Sequence, residues 1–389
     1  MMSEQKQYNY DVHAGRLFCL FMVLNAINLF VKQSLSIAFL TNNITIILGI
    51  IYMIYFATHI NIFRASVFNI IIWEFVLILL IALSIFRYPD STSAIIKRCI
   101  WTVAFCIPMF CVGRKIKDYD LFFSQVRFGC AFVLIIALYQ FIRHMGSSGA
   151  WFDYDVSISY ALAFPTIFHI SRLNEKKIYY PIVVLEIAII LLYGSRGPLL
   201  CIGSYMLIRV ILAKPKSVKM QLLRIIVMIL IIVMTLGYEY VINIIVELFQ
   251  NLGINSRTLS LLARSKITNI TGRDYVWEMV IEKIKEKPYL GWGIAGDQSF
   301  MVSYPHQLFL ELALHFGLII GALLGLTIVY RITRKLVSVK FQDKALVAFF
   351  CTGFIPLMLS DTYLDNVYFW ILLGLCWGSK ISFSIRGSK

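Results

Sequence analysis

The stretch "YPHQLFLELALHFGLIIG", residues 304–321, decides how this chain is read. Its back half is apolar enough to lie in hydrocarbon. Yet it opens on Pro305 and His306 and carries Glu311 and His315 within the apolar run. Titratable groups in a membrane segment are costly and persist where they pair or act on something. A greasy helix that gathers such groups at its mouth therefore marks a place where membrane and a polar partner meet.

The rest of the sequence fits a membrane setting. Of 389 residues, 59% are hydrophobic and 15% charged, with a mean hydropathy of +0.78, more apolar surface than a soluble domain could cover. Apolar windows recur near 17–36, 43–60, 66–86, 95–112, 120–142, 155–171, 178–194, 197–213, 221–238, 306–330, 344–360 and 363–379. Each has about the length needed to cross roughly 30 Å of hydrocarbon as a helix. The pattern predicts an all-α polytopic membrane protein with about twelve transmembrane helices. It forms a single transmembrane domain over 1–389, with one long hydrophilic loop at 239–305. No small-residue cleavage site follows the first window, which reads as a retained span.

The net charge of +15 does not point to nucleic acid, because the basic residues are scattered through short loops. With a cytoplasmic N-terminus, 22 of the 36 Lys and Arg fall in the inward-facing segments. The short outer loops are then nearly free of them, apart from Arg87, Lys97 and Arg98. Both termini are expected in the cytoplasm and the long loop outside. The eight cysteines lie almost all in apolar runs and read as small packing residues.

Within the long loop, Thr271 is an expected N-cap for a short amphipathic helix. Val276, Trp277, Val280, Ile281 and Ile284 share one face and Pro288 ends it. Lys283, Lys285 and Lys287 read as a solvated face. The "GWGIAG" at 291–296 matches a dinucleotide-binding pattern only in letters, since no strand precedes it, and its glycines read as turns.

Three outward places repeat one arrangement. "YGSRGPLL" (193–200) sets Arg196 just before Pro198 at a span start; "TGRD" sets Arg273 in the first turn of the loop helix; "SYPHQ" (303–307) sets His306 beside Pro305 at another span start. Helix N-termini attract anions through unpaired N–H groups and the dipole, and arginine binds oxyanions in a bidentate fork. If the three converge, they form a pocket for a phosphate or diphosphate. Taken singly, Arg196 could be an interfacial anchor, Arg273 a solvated charge and His306 an interfacial polar residue. Glu311, Glu74 and Glu186 need partners inside their spans. His315 reads as a hydrogen-bonding packing residue. Asp361 and Asp365, four apart in "DTYLD", read equally as a solvated turn.

In order and spacing, "GSRGPLL", "GRDYVWEMVIEKIKEKPYLGWG" and "HQLFLELALHFGLIIG" resemble the O-antigen ligase and O-antigen polymerase (Wzy-type) superfamily of bacterial membranes. The resemblance covers roughly 190–325. It implies a GT-C-type glycosyltransferase of the bacterial cytoplasmic membrane that takes a glycan from a polyprenyl-diphosphate carrier, such as undecaprenyl diphosphate, on the outer side. By that resemblance Arg196 and Arg273 contact the diphosphate and His306 serves catalysis or donor positioning, with Glu311 the other candidate base. Gln307 stands where the family has asparagine, and His315 where a carboxylate is frequent; both would support the site. No metal or cofactor is implied, and the reaction would invert the anomeric centre. The implied partners are the lipid-linked oligosaccharide, membrane lipid, a flippase and a chain-length regulator. The resemblance favours a polymerase of O-antigen or capsular repeat units, with a ligase acting on lipid A core as the alternative and a lipid-linked glycan transporter behind both.

Overall fold

The computed structural model describes residues 3–34, 38–146, 156–193, 195–212, 273–301 and 303–378, with a few isolated positions between 213 and 272. Every regular element among them is helical. The first half runs α1 (Glu4–Ser34), α2 (Ala38–Thr58), α3 (Ile60–Arg87), α4 (Thr92–Trp101), α5 (Ile107–Gly113), α6 (Tyr119–Ser124) and α7 (Arg127–Gly146). Then come α8 (Val156–Ser171), α9 (Tyr179–Leu192), α10 (Arg196–Ile211), α11 (Arg273–Glu286), α12 (Leu308–Phe316) and α13 (Leu318–Ser338). The chain closes with α14 (Lys344–Phe349), α15 (Ile355–Leu357) and α16 (Val367–Trp377). Among the described residues four stretches are long and apolar enough to cross a membrane: Glu4–Ser34, Ile60–Arg87, Pro89–Gly113 and Tyr119–Arg143. Shorter apolar helices accompany them. The structure thus bears out a helical membrane architecture but not twelve separate spans, and the window at 221–238 lies outside the described residues.

Several ends are set by side-chain caps. Asp118, Asp343 and Asn366 accept the N–H of Leu121, Leu346 and Phe369 at 2.8–2.9 Å and so begin α6, α14 and α16. The first helix starts well before the expected 17, at Glu4. Its polar turns are not a free tail: Asp11 accepts the backbone N–H of Lys117 and Asp118 at 3.2 and 3.0 Å, and Tyr10 donates to the Val112 carbonyl at 3.1 Å.

The core is aromatic. Phe18, Phe164, Phe349 and Tyr368 meet with ring centroids 5.1–5.6 Å apart, joining α1, α8, α14 and α16. Across the bundle α16 lies against α5, where a Cβ on Gly374 would stand 2.5 Å from the Phe110 carbonyl. Only glycine lets the two backbones approach so closely. The outer faces of α3 and α13 are apolar and exposed, Phe75, Phe86, Leu323 and Leu326 among them, as lipid contact requires.

The window read as one span over 306–330 is two helices. Gly317, at φ 81°, breaks it, and a Cβ there would strike the Tyr289 carbonyl. After the break α13 runs back along α12: Gly321 lies against Ala313, and Gly325 against Phe309. The start of α12 therefore sits roughly 13 Å, nine residues of helix rise, from the Gly317 turn. His306 lies in the loop just before this short helix.

Two wide helical turns, Thr102–Cys106 and Phe350–Phe354, interrupt the long elements. Such turns are frequent at functional sites. Both border the loop at 358–366: Thr102 donates to the Leu364 carbonyl at 2.6 Å, and the Gly353 carbonyl accepts the Asn366 amide at 3.4 Å.

Candidate functional site

Of the three expected helix starts, that at Arg196 is as read. Ser195 is extended and Arg196 is the first residue of α10; the Arg196 side chain lies outside the described residues. Arg273 is the first described residue of α11, and the expected cap Thr271 lies outside the described residues. The third start is displaced. Pro305 and His306 precede α12 instead of forming its first turn, because Gln307 is the cap: its side-chain oxygen accepts the Leu310 N–H at 2.6 Å. The longer amide still reaches the N-terminal N–H group that an asparagine would cap.

The loop helix α11 is anchored from its apolar face. Val280 and Ile284 are buried with Trp292, Met301 and Leu314, and Trp277 donates its indole N–H to the Pro305 carbonyl at 3.0 Å. "GWGIAG" makes turns, with Gly291 and Gly293 at positive φ. The N–H groups of Trp292 and Gly293 satisfy the Leu314 and His315 carbonyls at 2.7 and 2.9 Å, closing the end of α12. The expected solvated lysine face is only partly so. Lys285 is exposed, but Lys287 lies 3.6 Å over the Trp292 ring and donates to the Tyr88 hydroxyl at 2.8 Å.

His306 adopts φ 57°, a backbone conformation uncommon for a side-chain-bearing residue. Its Nε2 meets the Ser303 hydroxyl at 3.1 Å. Its Nδ1 is buried and makes no hydrogen bond among the described residues. Burial first, and then the charges of Arg273 and Arg98, lower its pKa against the opposing pull of the Ser360 carbonyl. Its imidazole is therefore neutral at pH 7.

Around it stands a set of contacts that long-range folding alone assembles. The Tyr304 ring lies 4.2 Å from that of His306 and under the Arg98 guanidinium at 4.4 Å. The Tyr304 hydroxyl donates to the Ser360 carbonyl at 3.1 Å, and the Tyr160 hydroxyl hydrogen-bonds the Ser360 hydroxyl. Tyr160 also packs on Gly197, leaving no room for a Cβ there, and stands within the field of Arg273. Tyr160 and Ser360 thus link the start of α10 to the segment that bears His306, and the Trp277–Pro305 hydrogen bond ties α11 to the same segment.

Glu311 and His315 are buried with partners. Thr362 donates its hydroxyl, and Tyr363 its N–H at 3.3 Å, to the two oxygens of Glu311. His315 bonds the Tyr363 hydroxyl at 2.7 Å and Asp297 at 3.0 Å. Both therefore clamp the 361–365 loop onto α12, as the packing reading of His315 expected. Elsewhere Glu186 pairs with His169 at 2.9 Å, and Glu74 has an oxygen without a partner.

The residues the sequence undervalued are in that loop. Asp365 pairs with Arg98 at 2.9 Å, whose Nε and Nη2 are buried and have no partner among the described residues. Asp361 accepts the Asn366 amide and the Thr362 N–H at 2.7 and 2.8 Å. Both line a cavity of about 390 Å³ together with Asn25, Asn28, Trp101 and Tyr160. "DTYLD" is thus a cavity wall and not a solvated turn. Its four-residue spacing was the available signal; the partners that give it meaning lie far away in sequence.

No curated protein and no solved structure matches the chain. A family match does exist, and it falls on this site. Residues 181–325, which hold Arg196, Arg273, His306, Gln307, Glu311 and His315, match the family described as O-antigen ligase.

Proposed function

We propose that this protein is a membrane glycosyltransferase that polymerises oligosaccharide repeat units. It takes the glycan from a polyprenyl diphosphate on the outer face of the bacterial cytoplasmic membrane. The observation that carries the reading is the joining of the α10 start and of α11 to the segment that bears His306, the first through Tyr160 and Ser360 and the second through Trp277. Arg196 and Arg273 hold the diphosphate in bidentate hydrogen bonds. His306, neutral and accepting the Ser303 hydroxyl proton at Nε2, donates from Nδ1 to a diphosphate oxygen. An acceptor hydroxyl attacks the anomeric carbon opposite the leaving group. The carbon–oxygen bond to phosphate breaks, its electron pair passes to the diphosphate, and the configuration inverts. Donors already in place where charge develops are worth most in a site shielded from water. Glu311 and His315 are positioning residues that fix the 361–365 loop, and Gln307 fixes the start of α12.

The description of the matched family as O-antigen ligase favours a second reading, in which the same site hands the glycan to a lipid A core. Either enzyme would depend on a flippase for its donor, and the polymerase on a chain-length regulator.

The test is complementation of a strain lacking the gene. Arg196→Ala and Arg273→Ala are expected to abolish polymer while the protein remains in the membrane, and lysine at either position to rescue poorly. A ladder of repeat units identifies a polymerase; a single transferred length identifies a ligase. Polymer at the wild-type level from both alanine variants would remove the diphosphate site.

A further inference from the structure

Proceeding from that reading, we infer that the cavity beside Ser360 is the acceptor-sugar subsite and that Asp361 takes the proton of the attacking hydroxyl. The diphosphate groups and the cavity meet at one short segment: His306 and Tyr304 approach Ser360, and Asp361, the next residue, lines the cavity. At about 390 Å³ the cavity falls within the roughly 300–1,000 Å³ typical of small-molecule sites. Its chemistry suits a sugar: the amides of Asn25 and Asn28 can bond hydroxyls in both directions, and Trp101 offers a flat apolar face. Neither His306 nor Glu311 lines it.

Asp361 is held for this task. The Thr362 N–H and the Asn366 amide fix its carboxylate at the wall, and each oxygen keeps lone pairs for a further donor. The acceptor O–H gives its proton to this carboxylate as its oxygen bonds to the anomeric carbon. The departing electron pair stays on the diphosphate, so the step needs no other reactant. Burial pushes the Asp361 carboxyl up to about 6, with Asp365 adding to the rise and the two hydrogen bonds and Arg98 opposing it. The other charged or titratable groups around it are Lys32 on α1, Lys97 on α4, Tyr160 on α8, Cys201 on α10 and Tyr304. A base of this pKa is ionised above pH 6, so kcat/KM should fall as pH drops through about 6.

The experiment uses the purified full chain in lipid vesicles with a polyprenyl-diphosphate-linked oligosaccharide. Turnover and donor binding are measured separately. Asp361→Asn is expected to lower turnover by about 10²–10⁴-fold, the usual range for loss of a general base. It should also abolish the acid limb of the pH profile and leave donor Kd within about threefold. Asn25→Ala, which leaves the Asp361 hydrogen bonds in place, is expected to raise the acceptor KM with donor binding unchanged. Should Asp361→Asn fail to fold, this second variant decides the subsite. Turnover by Asp361→Asn near the wild-type rate, or an Asn25→Ala acceptor KM equal to wild type, would overturn the inference while leaving the diphosphate site standing. Wild-type protein that neither binds nor converts the donor would overturn both.

Discussion

Trp277 on α11 donates its indole N–H to the carbonyl of Pro305 at 3.0 Å, tying the helix that begins with Arg273 to the residue before His306. The bond fixes the distance between two groups assigned to one diphosphate. Trp277→Phe keeps an aromatic ring on the same face and removes only the donor. The expected result is a fall in turnover of several-fold, about 1 kcal/mol, with little change in melting temperature. A turnover equal to wild type would mean that the packing of Val280 and Ile284 suffices to hold α11.

Gln307 supplies the cap of α12. Removing an N-cap side chain costs about 0.5–2 kcal/mol, and asparagine is among the strongest caps. Gln307→Ala should therefore lower the melting temperature in detergent, and Gln307→Asn should match or exceed wild type. Equal losses from both substitutions would show that the amide has a role besides capping.

The fold was legible where local chemistry decides it. The start of α10 at Arg196, the amphipathic helix α11 with its end before Pro288 and the turns of "GWGIAG" all follow from periodicity, proline and glycine rules. The break at Gly317 was hidden because a glycine within "HFGLIIG" also reads as a packing residue; the Tyr289 carbonyl that requires a glycine lies 28 positions upstream. The early start of α1 was hidden for a similar reason, since Asp11 is satisfied by the backbone at 117 and 118. The site shows the same division. Arg196, Arg273 and His306 carry their signal in their own neighbourhoods. Asp361 and Tyr160 gain meaning only from contacts across the fold, Tyr160 with Ser360 and Asp361 with the cavity.

His315 and Asp297 form a buried pair, 0% and 1% exposed. Removing one member of such a pair costs about 3–5 kcal/mol because the other is left buried and unpaired. His315→Ala should destabilise the protein by that order, and adding Asp297→Asn should recover part of the loss. Burial raises the Asp297 carboxyl, but the hydrogen bond and charge of His315 outweigh it and hold the group below its usual range. Its folded pKa is thus below the unfolded value of about 3.9. The stability it contributes is present above that value and is lost only as pH falls through the lower, folded one. Thermal melts between pH 5 and 7 should show no dependence from Asp297.

All eight native cysteines are buried, so single introduced cysteines can report sidedness. Leu290→Cys, at an exposed position beyond α11, should react with an impermeant maleimide on intact spheroplasts. Ser338→Cys, exposed at the end of α13, should react only after the membrane is opened. The reverse pattern would place the arginines on the cytoplasmic side, where the proposed donor is not presented.

The most direct measurement is conversion of a purified polyprenyl-diphosphate-linked oligosaccharide by the purified protein in vesicles, with the released polyprenyl diphosphate and the lengthened glycan quantified together. The account predicts equal amounts of both from wild type. It predicts losses of about 10²–10³-fold from Arg273→Ala, the range for removing one donor to developing charge, accompanied by weaker donor binding. Glycan transfer by Arg273→Ala at the wild-type rate, with donor binding unchanged, would contradict it.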